Sequence, residues 1–261
     1  MEPYVGITGF TKPQEVRAVL EVLPESPLRK LMVGVLASWK SLRGIPLKPK
    51  WQKQFPQPES IPALFPADPR TINLVHYSTE EGRESSVLAD MFKIHELAGP
   101  NFHGFQLNVA WPQINQMDDY RVAMGWNYRI VLQLGQKAVE AVDGTAQGVA
   151  DMLYHYAGNI DAILLDPSGG LGKPFDTARA REFLAAIADR GWDIGLGVAG
   201  GLGPETLRLV EPLLEEFPDL SIDAQGQLRT PEDDLDVDKT KLYHSRALEM
   251  FERHQERVTA V

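Results

Sequence analysis

The sequence predicts a single (β/α)₈ barrel of the TIM type, and three observations carry that expectation. Short apolar runs alternate with amphipathic helical stretches along the whole chain. Those runs are nearly continuous in Val, Ile, Leu and aromatic residues, as strands buried on both faces of a parallel sheet require. The length of 261 residues matches the roughly 250 that one such barrel needs. An open doubly wound sheet is the alternative reading of the same alternation.

Strands are predicted at residues 4–9, 30–38, 72–78, 105–109, 129–134, 162–166, 193–199 and 220–223. Helices are predicted at 13–23, 84–97, 146–157, 177–190 and 204–217, with a last one near 239–257. In the fourth of these, Ala180, Phe183, Leu184 and Ile187 keep the i, i+3, i+4, i+7 spacing of one buried face. Residues 44–70 break the rhythm, holding seven of the 19 prolines together with Trp51, Phe55 and Phe65. Prolines cannot join a ladder, so this stretch reads as a loop insertion after the second strand, on the face where barrels bind ligands. It is either a functional lid or a solvated cover. Residues 232–238 carry five acids in seven positions, a solvated turn that favours the N-terminus of the last helix. No linker or internal repeat divides the chain, and 1–261 is expected to form one domain.

With 26 basic and 36 acidic side chains the net charge is −10, which argues against nucleic acid or an anionic membrane as partner. A phosphorylated ligand must then be held by local groups against the global field. Cysteine is absent, which removes disulfides, thiolate metal sites and cysteine nucleophiles together. No basic start with an apolar stretch marks a signal peptide, and no run approaches the roughly 18 apolar residues of a membrane span. A cytoplasmic protein is expected. No histidine pair has metal-ligand spacing, so no metal is expected, and neither is an organic cofactor.

The chemistry concentrates at strand ends. The sixth strand closes on Asp166, followed by a loop with Gly169, Gly170 and Gly172 that leads through Asp176 into a helix. An acid in this place faces the catalytic mouth of a barrel, although a strand-end Asp also caps its own loop. The seventh strand runs into Ala199-Gly200-Gly201-Leu202-Gly203-Pro204-Glu205, and the eighth into Asp223-Ala224-Gln225-Gly226. Loops after strands seven and eight hold phosphate in many barrels. Gly200, Gly201, Gln225 and Gly226 are therefore the predicted phosphate-binding residues, unless the glycines serve only tight turns. His76 and Tyr77 end the third strand, and either can face the mouth. Asp223 can share a pocket with Asp166 and divide acid and base roles with it. His103 precedes strand four, at the opposite end, and His155, His244 and His254 fall on helices in solvated or core roles.

These motifs together resemble the phosphoribosylanthranilate isomerase family, (β/α)₈ enzymes that write an Ile-Leu-Leu-Asp strand, a Gly-Gly-x-Gly-x-x-Phe-Asp loop and an Ala-Gly-Gly-Leu-x-Pro-Glu turn. The chain carries them at 163–166, 169–176 and 199–205. Weaker echoes are Ile7-Thr8-Gly9 in the first strand, Ser41-Leu42-Arg43 after the second, Gln106-Leu107 in the fourth, and Lys241-Leu242 in the last helix. The resemblance implies that Asp166 is the general acid and that Arg43 holds the anthranilate carboxylate. It also puts Gln106 and Asn108 beside the substrate, while His76 is expected there from its place at the end of strand three, where it or Tyr77 can supply a base. The family's base is a cysteine where this chain has Thr8, its strand-four histidine is Asn108, and its Ser-Ser-Gly is Ala224-Gln225-Gly226. A threonine hydroxyl does not ionise near neutral pH and cannot replace a thiolate without a neighbouring base. The implied activity is a sugar-phosphate isomerisation with its acid in place and its usual base missing. The alternatives are a barrel lyase, aldolase or epimerase acting on another phosphometabolite, or a non-catalytic phosphometabolite-binding protein.

Overall fold

Eight parallel strands form within two residues of their predicted ends: β1 (Tyr4–Thr8), β2 (Lys30–Ser38), β3 (Thr71–Ser78), β4 (Gly104–Asn108), β5 (Arg129–Gly135), β6 (Ala162–Asp166), β7 (Gly195–Ala199) and β8 (Ser221–Ala224). The structure, a computed structural model, describes residues 1–166 and 175–259. Each strand pairs with the next, and β8 pairs with β1 at Val5–Ile222, Gly6–Asp223 and Ile7–Ala224, so the sheet closes into a barrel. The open sheet is thereby excluded.

The period-2 alternation of each strand sorts its side chains between two cores. Tyr4, Met32, Ile72, Leu74, Val131, Ala162 and Leu164 fill the lower lumen. The alternate positions, such as Val5, Val33, Val75, Phe105 and Leu132, pack outward against the helical layer. In that layer and its loops, the α-helical segments among the described residues are α1 (Pro13–Leu20), α2 (Pro49–Gln52), α3 (Ile61–Leu64), α4 (Val87–Leu97), α5 (Ile114–Met124), α6 (Gln136–Glu140), α7 (Ala146–Leu153), α8 (Thr177–Ala188) and α9 (Val237–Thr259).

The short helices α2, α3 and α6 lie outside the predicted ones, and two larger departures have a physical cause. The predicted helix at 204–217 is instead two 3₁₀ turns, Leu207–Leu209 and Glu211–Leu213. Pro212 lies inside the stretch, has no N–H to give and collides with the turn before it, so an α-helix cannot pass. Conversely, α5 forms where the sequence shows no apolar stripe. It buries Gln116 and Arg121 beside Met117 and Tyr120. Arg121 is satisfied by the carbonyls of Asn159 and Tyr128 and by Asp161 at 2.7 Å, and Asp161 also accepts the Ile130 N–H. This buried cluster ties α5 to the starts of β5 and β6.

The proline-rich stretch divides in two. Ile61, Leu64 and Phe65 are buried, and α3 stands in the helical layer between β2 and β3. The first half reaches across the strand ends to the loop after β8. There Lys53 meets Asp234 and the Glu232 carbonyl, Gln54 donates to Asp233, and Gln225 donates to Gln54 at 2.7 Å.

The Arg121 cluster yields a stability test. Arg121→Met strands Asp161 and two carbonyls and is expected to cost about 3 kcal/mol or more in urea denaturation. Arg129→Ala, at the half-exposed partner 3.4 Å from Asp161, is expected to cost under about 1 kcal/mol. Equal small losses in both variants would contradict the role given to Arg121.

Candidate active site

Because all eight strands run in parallel, their C-terminal ends share one mouth. Thr8, Asn108 and Asp166 are the last residues of β1, β4 and β6, and the Gly200–Gly201 turn and Gln225 follow β7 and β8 directly. His76 and Gln106 sit two positions deeper, on the lumen face. The sequence-predicted residues Thr8, His76, Gln106, Asn108, Asp166 and Asp223 therefore converge on one polar layer above the apolar lumen.

A continuous chain of hydrogen bonds joins them. Thr8 Oγ1 donates to Asp223, 3.1 Å from Oδ1 and 2.8 Å from Oδ2. Gln106 Nε2 lies 3.2 Å from Asp223 Oδ2, 3.1 Å from Gln133 Oε1 and 2.9 Å from His76 Nδ1, so its two hydrogens serve three acceptors. Gln133 Nε2 donates to Asp166 Oδ2 at 3.1 Å. Asn108 Nδ2 stands 3.4 Å from His76 Nε2 at the rim. Both ring nitrogens of His76 face side-chain amide nitrogens, Gln106 Nε2 and Asn108 Nδ2, so whichever nitrogen is unprotonated has an amide donor beside it. Burial pushes the His76 pKa down to about 4, which keeps the ring neutral.

Asp223 is the group most altered by this environment. It is fully enclosed, and burial raises its carboxyl to about 7. The hydrogen bonds from Thr8 and Gln106 oppose that rise, and the charge of Asp166 adds to it. Room for this carboxyl comes from two glycines facing the lumen. A Cβ on Gly6 would lie 2.7 Å from Asp223 Oδ1, and one on Gly34 would lie 2.5 Å from Thr8 Oγ1. Neither contact is tolerable, so both side chains occupy space that any larger residue would close.

The candidate anion turn sits beside this layer. Gly200 and Gly201 have φ of 101° and 67°, a conformation that glycine adopts without strain. The α-helix expected after β7 is absent, so the turn itself, not a long helix dipole, is what an anion would meet. An open cleft of about 880 Å³ lies between the insertion and the loop after β8, lined by Lys50, Lys53, Gly226, Arg229, Asp233 and Lys239 among others. It meets the candidate site at Gly226, and among the described residues neither Asp166 nor Asp223 lines it.

Other expectations fall elsewhere. Arg43 stands apart from the polar layer: its guanidinium holds Asp90 of α4 through two bonds, at 2.7 and 3.1 Å, and stacks on Trp39. Tyr77 faces outward and donates to the same Asp90 at 2.6 Å, so it does not enter the mouth. His103 Nδ1 accepts the Asn73 N–H at the far end of the barrel. His155 lies exposed in the turn after α7, and His244 and His254 are buried on α9. The loop residues 167–174, with Gly169, Gly170 and Gly172, lie outside the described residues. Asp176 accepts the Arg179 N–H as the N-cap of α8. Among the described residues no three His, Asp or Glu side chains gather as metal ligands, and no helix is long and apolar enough to cross a membrane. Sequence reading missed Gln133, whose signal is a polar residue at a lumen position two before a strand end, the same place as Gln106.

No family model and no curated protein matches this chain in sequence. Solved structures match in fold. The phosphoribosyl anthranilate isomerase of Thermotoga maritima superposes with a TM-score of 0.62 at 18% identity, over 94% of this chain and 98% of that one. The enzyme of that name from Pyrococcus furiosus gives 0.61 at 15%, over 95% and 99%. The Thermococcus kodakaraensis enzyme gives 0.58 at 16%, over 97% and 98%. At these identities the likeness establishes the (β/α)₈ barrel.

The buried carboxyl makes a pH-dependent prediction. Unfolded, Asp223 ionises near 3.9, and folded near 7. Between those values the unfolded chain has released a proton that the folded one keeps, so this group's contribution to stability falls as pH rises. Asp223→Asn removes that dependence. Relative to wild type, the variant is expected to gain about 2–4 kcal/mol between pH 4.5 and pH 8 in urea denaturation. A difference that stays constant across the two pH values would contradict it.

Proposed function

We propose that this chain is an isomerase of a phosphorylated sugar amine, with its phosphate cup at Gly200, Gly201, Gln225 and Gly226 and Asp166 as general acid. The observation that carries the reading is the pairing of two carboxyls, Asp166 and Asp223, through Gln133 and Gln106 at the mouth of a barrel. Acid–base isomerisation needs one group to give a proton and another to take one, and unlike environments supply that difference. Asp166 is half-buried at the end of β6, among the strand ends that form the mouth. The shared barrel with phosphoribosyl anthranilate isomerases supports the choice of substrate class, and the Gly200–Gly201 turn supports a phosphate. Thr8 does not serve as the base, because its hydroxyl proton is already committed to Asp223.

The Arg43–Asp90 pair favours a second reading, in which the same cup serves a phosphometabolite without an aryl carboxylate. With its guanidinium held by Asp90, Arg43 is not presented to such a carboxylate.

Turnover of N-(5′-phosphoribosyl)anthranilate, followed by fluorescence, tests the first reading. Asp166→Asn is expected to lower kcat by about 10²-fold or more with the fold intact by circular dichroism, since an amide keeps the shape but gives no acidic proton. Gly201→Val is expected to raise KM by crowding the turn, with a smaller effect on kcat. Full activity in Asp166→Asn would overturn the assignment. Tighter binding of ribulose 5-phosphate than of reduced 1-(o-carboxyphenylamino)-1-deoxyribulose 5-phosphate would select the second reading.

A further inference from the structure

We propose that Asp223 is the proton-abstracting group of this isomerisation and that Thr8 and Gln106 are its positioning residues, an inference that rests on the isomerase reading above. The base thus belongs to β8 and reaches toward the end of β1, where Thr8 stands.

Geometry excludes the other candidates. Tyr77 points away from the lumen onto Asp90. His76 has each ring nitrogen against an amide nitrogen, Gln106 Nε2 at Nδ1 and Asn108 Nδ2 at Nε2, so its free lone pair lies inside the network. Asp166 holds the opposite end of the network. That leaves Asp223, whose two oxygens are aimed by one hydroxyl and one amide. The glycines at positions 6 and 34 add an independent sign of purpose. A lumen layer built only for stability would fill that space with side chains, as the layer below it does with Tyr4, Met32 and Leu74. A carboxyl that is buried there also gives up stability when it ionises.

The step balances without a redox partner. In the reactive form the one proton of the carboxyl pair sits on Asp166 and Asp223 is ionised; Asp166 protonates the ring oxygen as the C1–O bond breaks, and the nitrogen lone pair forms C1=N⁺. The Asp223 carboxylate takes the proton from C2, the C–H pair becomes C1=C2, and the iminium pair returns to nitrogen. Asp223 then delivers its proton to C1 while the C2 hydroxyl loses one to Asp166, giving the aminoketose and restoring both carboxyls.

The titratable groups that act on Asp223 are Tyr4 of β1, Asp166 of β6 and Tyr243 of α9, and His76 of β3 shares Gln106 with it. Burial and the Asp223 charge push both phenols upward, so they stay neutral, as does His76. Asp166 is therefore the neighbour whose charge matters. With its pKa near 7, Asp223 is a stronger base than an ordinary carboxylate and is partly ionised at neutral pH.

The experiment is the pH profile of kcat/KM for N-(5′-phosphoribosyl)anthranilate in wild type, Thr8→Val and Asp223→Asn, with binding of reduced 1-(o-carboxyphenylamino)-1-deoxyribulose 5-phosphate measured alongside. Wild type is expected to show an alkaline limb near pH 7, where the Asp166–Asp223 pair loses its last proton. Thr8→Val removes the bond that favours the carboxylate and should move that limb about one unit higher. A purely structural Thr8 would lower activity without moving it. Asp223→Asn is expected to lose about 10²-fold or more in kcat while still binding the analogue. An active wild type with an active Asp223→Asn, or with an unmoved limb in Thr8→Val, overturns the base assignment and leaves the isomerase reading standing. A wild type that binds the analogue but never turns the substrate over removes the isomerase reading, and the base with it.

Discussion

A carboxyl held inside the barrel, out of water, is the constraint on which the rest of the mouth depends. An isolated buried carboxylate is strongly disfavoured, and this one is tolerated because donors arrive from two other strands. Thr8 comes from β1 and Gln106 from β4, so the barrel must close for Asp223 to be satisfied. The compensation is incomplete, and the remainder shows as a carboxyl pushed up to about 7. A group left in that state costs folding free energy at neutral pH.

From that layer outward, the loops decide what the mouth can receive. Gln54 of the insertion sits on Gln225, so a segment after β2 helps to place the turn after β8. On the other side, Asp90 collects Arg43, Tyr77 and Ser86, fixing the strand ends of β2 and β3 against α4.

Much of this was legible in the sequence, for identifiable reasons. Strands buried on both faces write continuous apolar runs, and glycine with proline marks their ends, so all eight were found. Helix α5 was invisible because its buried face is polar, and only the distant partners of Arg121 make that face stable. The helix at 204–217 was misread because its apolar spacing is helical while Pro212 forbids the bond pattern. In the site, Thr8, His76, Gln106, Asn108, Asp166 and Asp223 all reached one layer, since strand-end position in a parallel barrel is itself a statement about place. Arg43 did not join them, because its partner Asp90 lies 47 residues away and no local pattern announces the pair. Gln133 went unnoticed inside an apolar strand, although its lumen phase was readable.

The central claim is that Asp223 is a buried carboxyl poised near neutrality by a balance of burial against two donors. Carbon-13 NMR of the side-chain carboxyl, assigned by comparison with Asp223→Asn and followed from pH 4 to pH 9, tests it directly. The expected result is a titration centred near 7. A midpoint at or below the ordinary value of about 3.9 would show a settled anion held for structure, and would contradict the account.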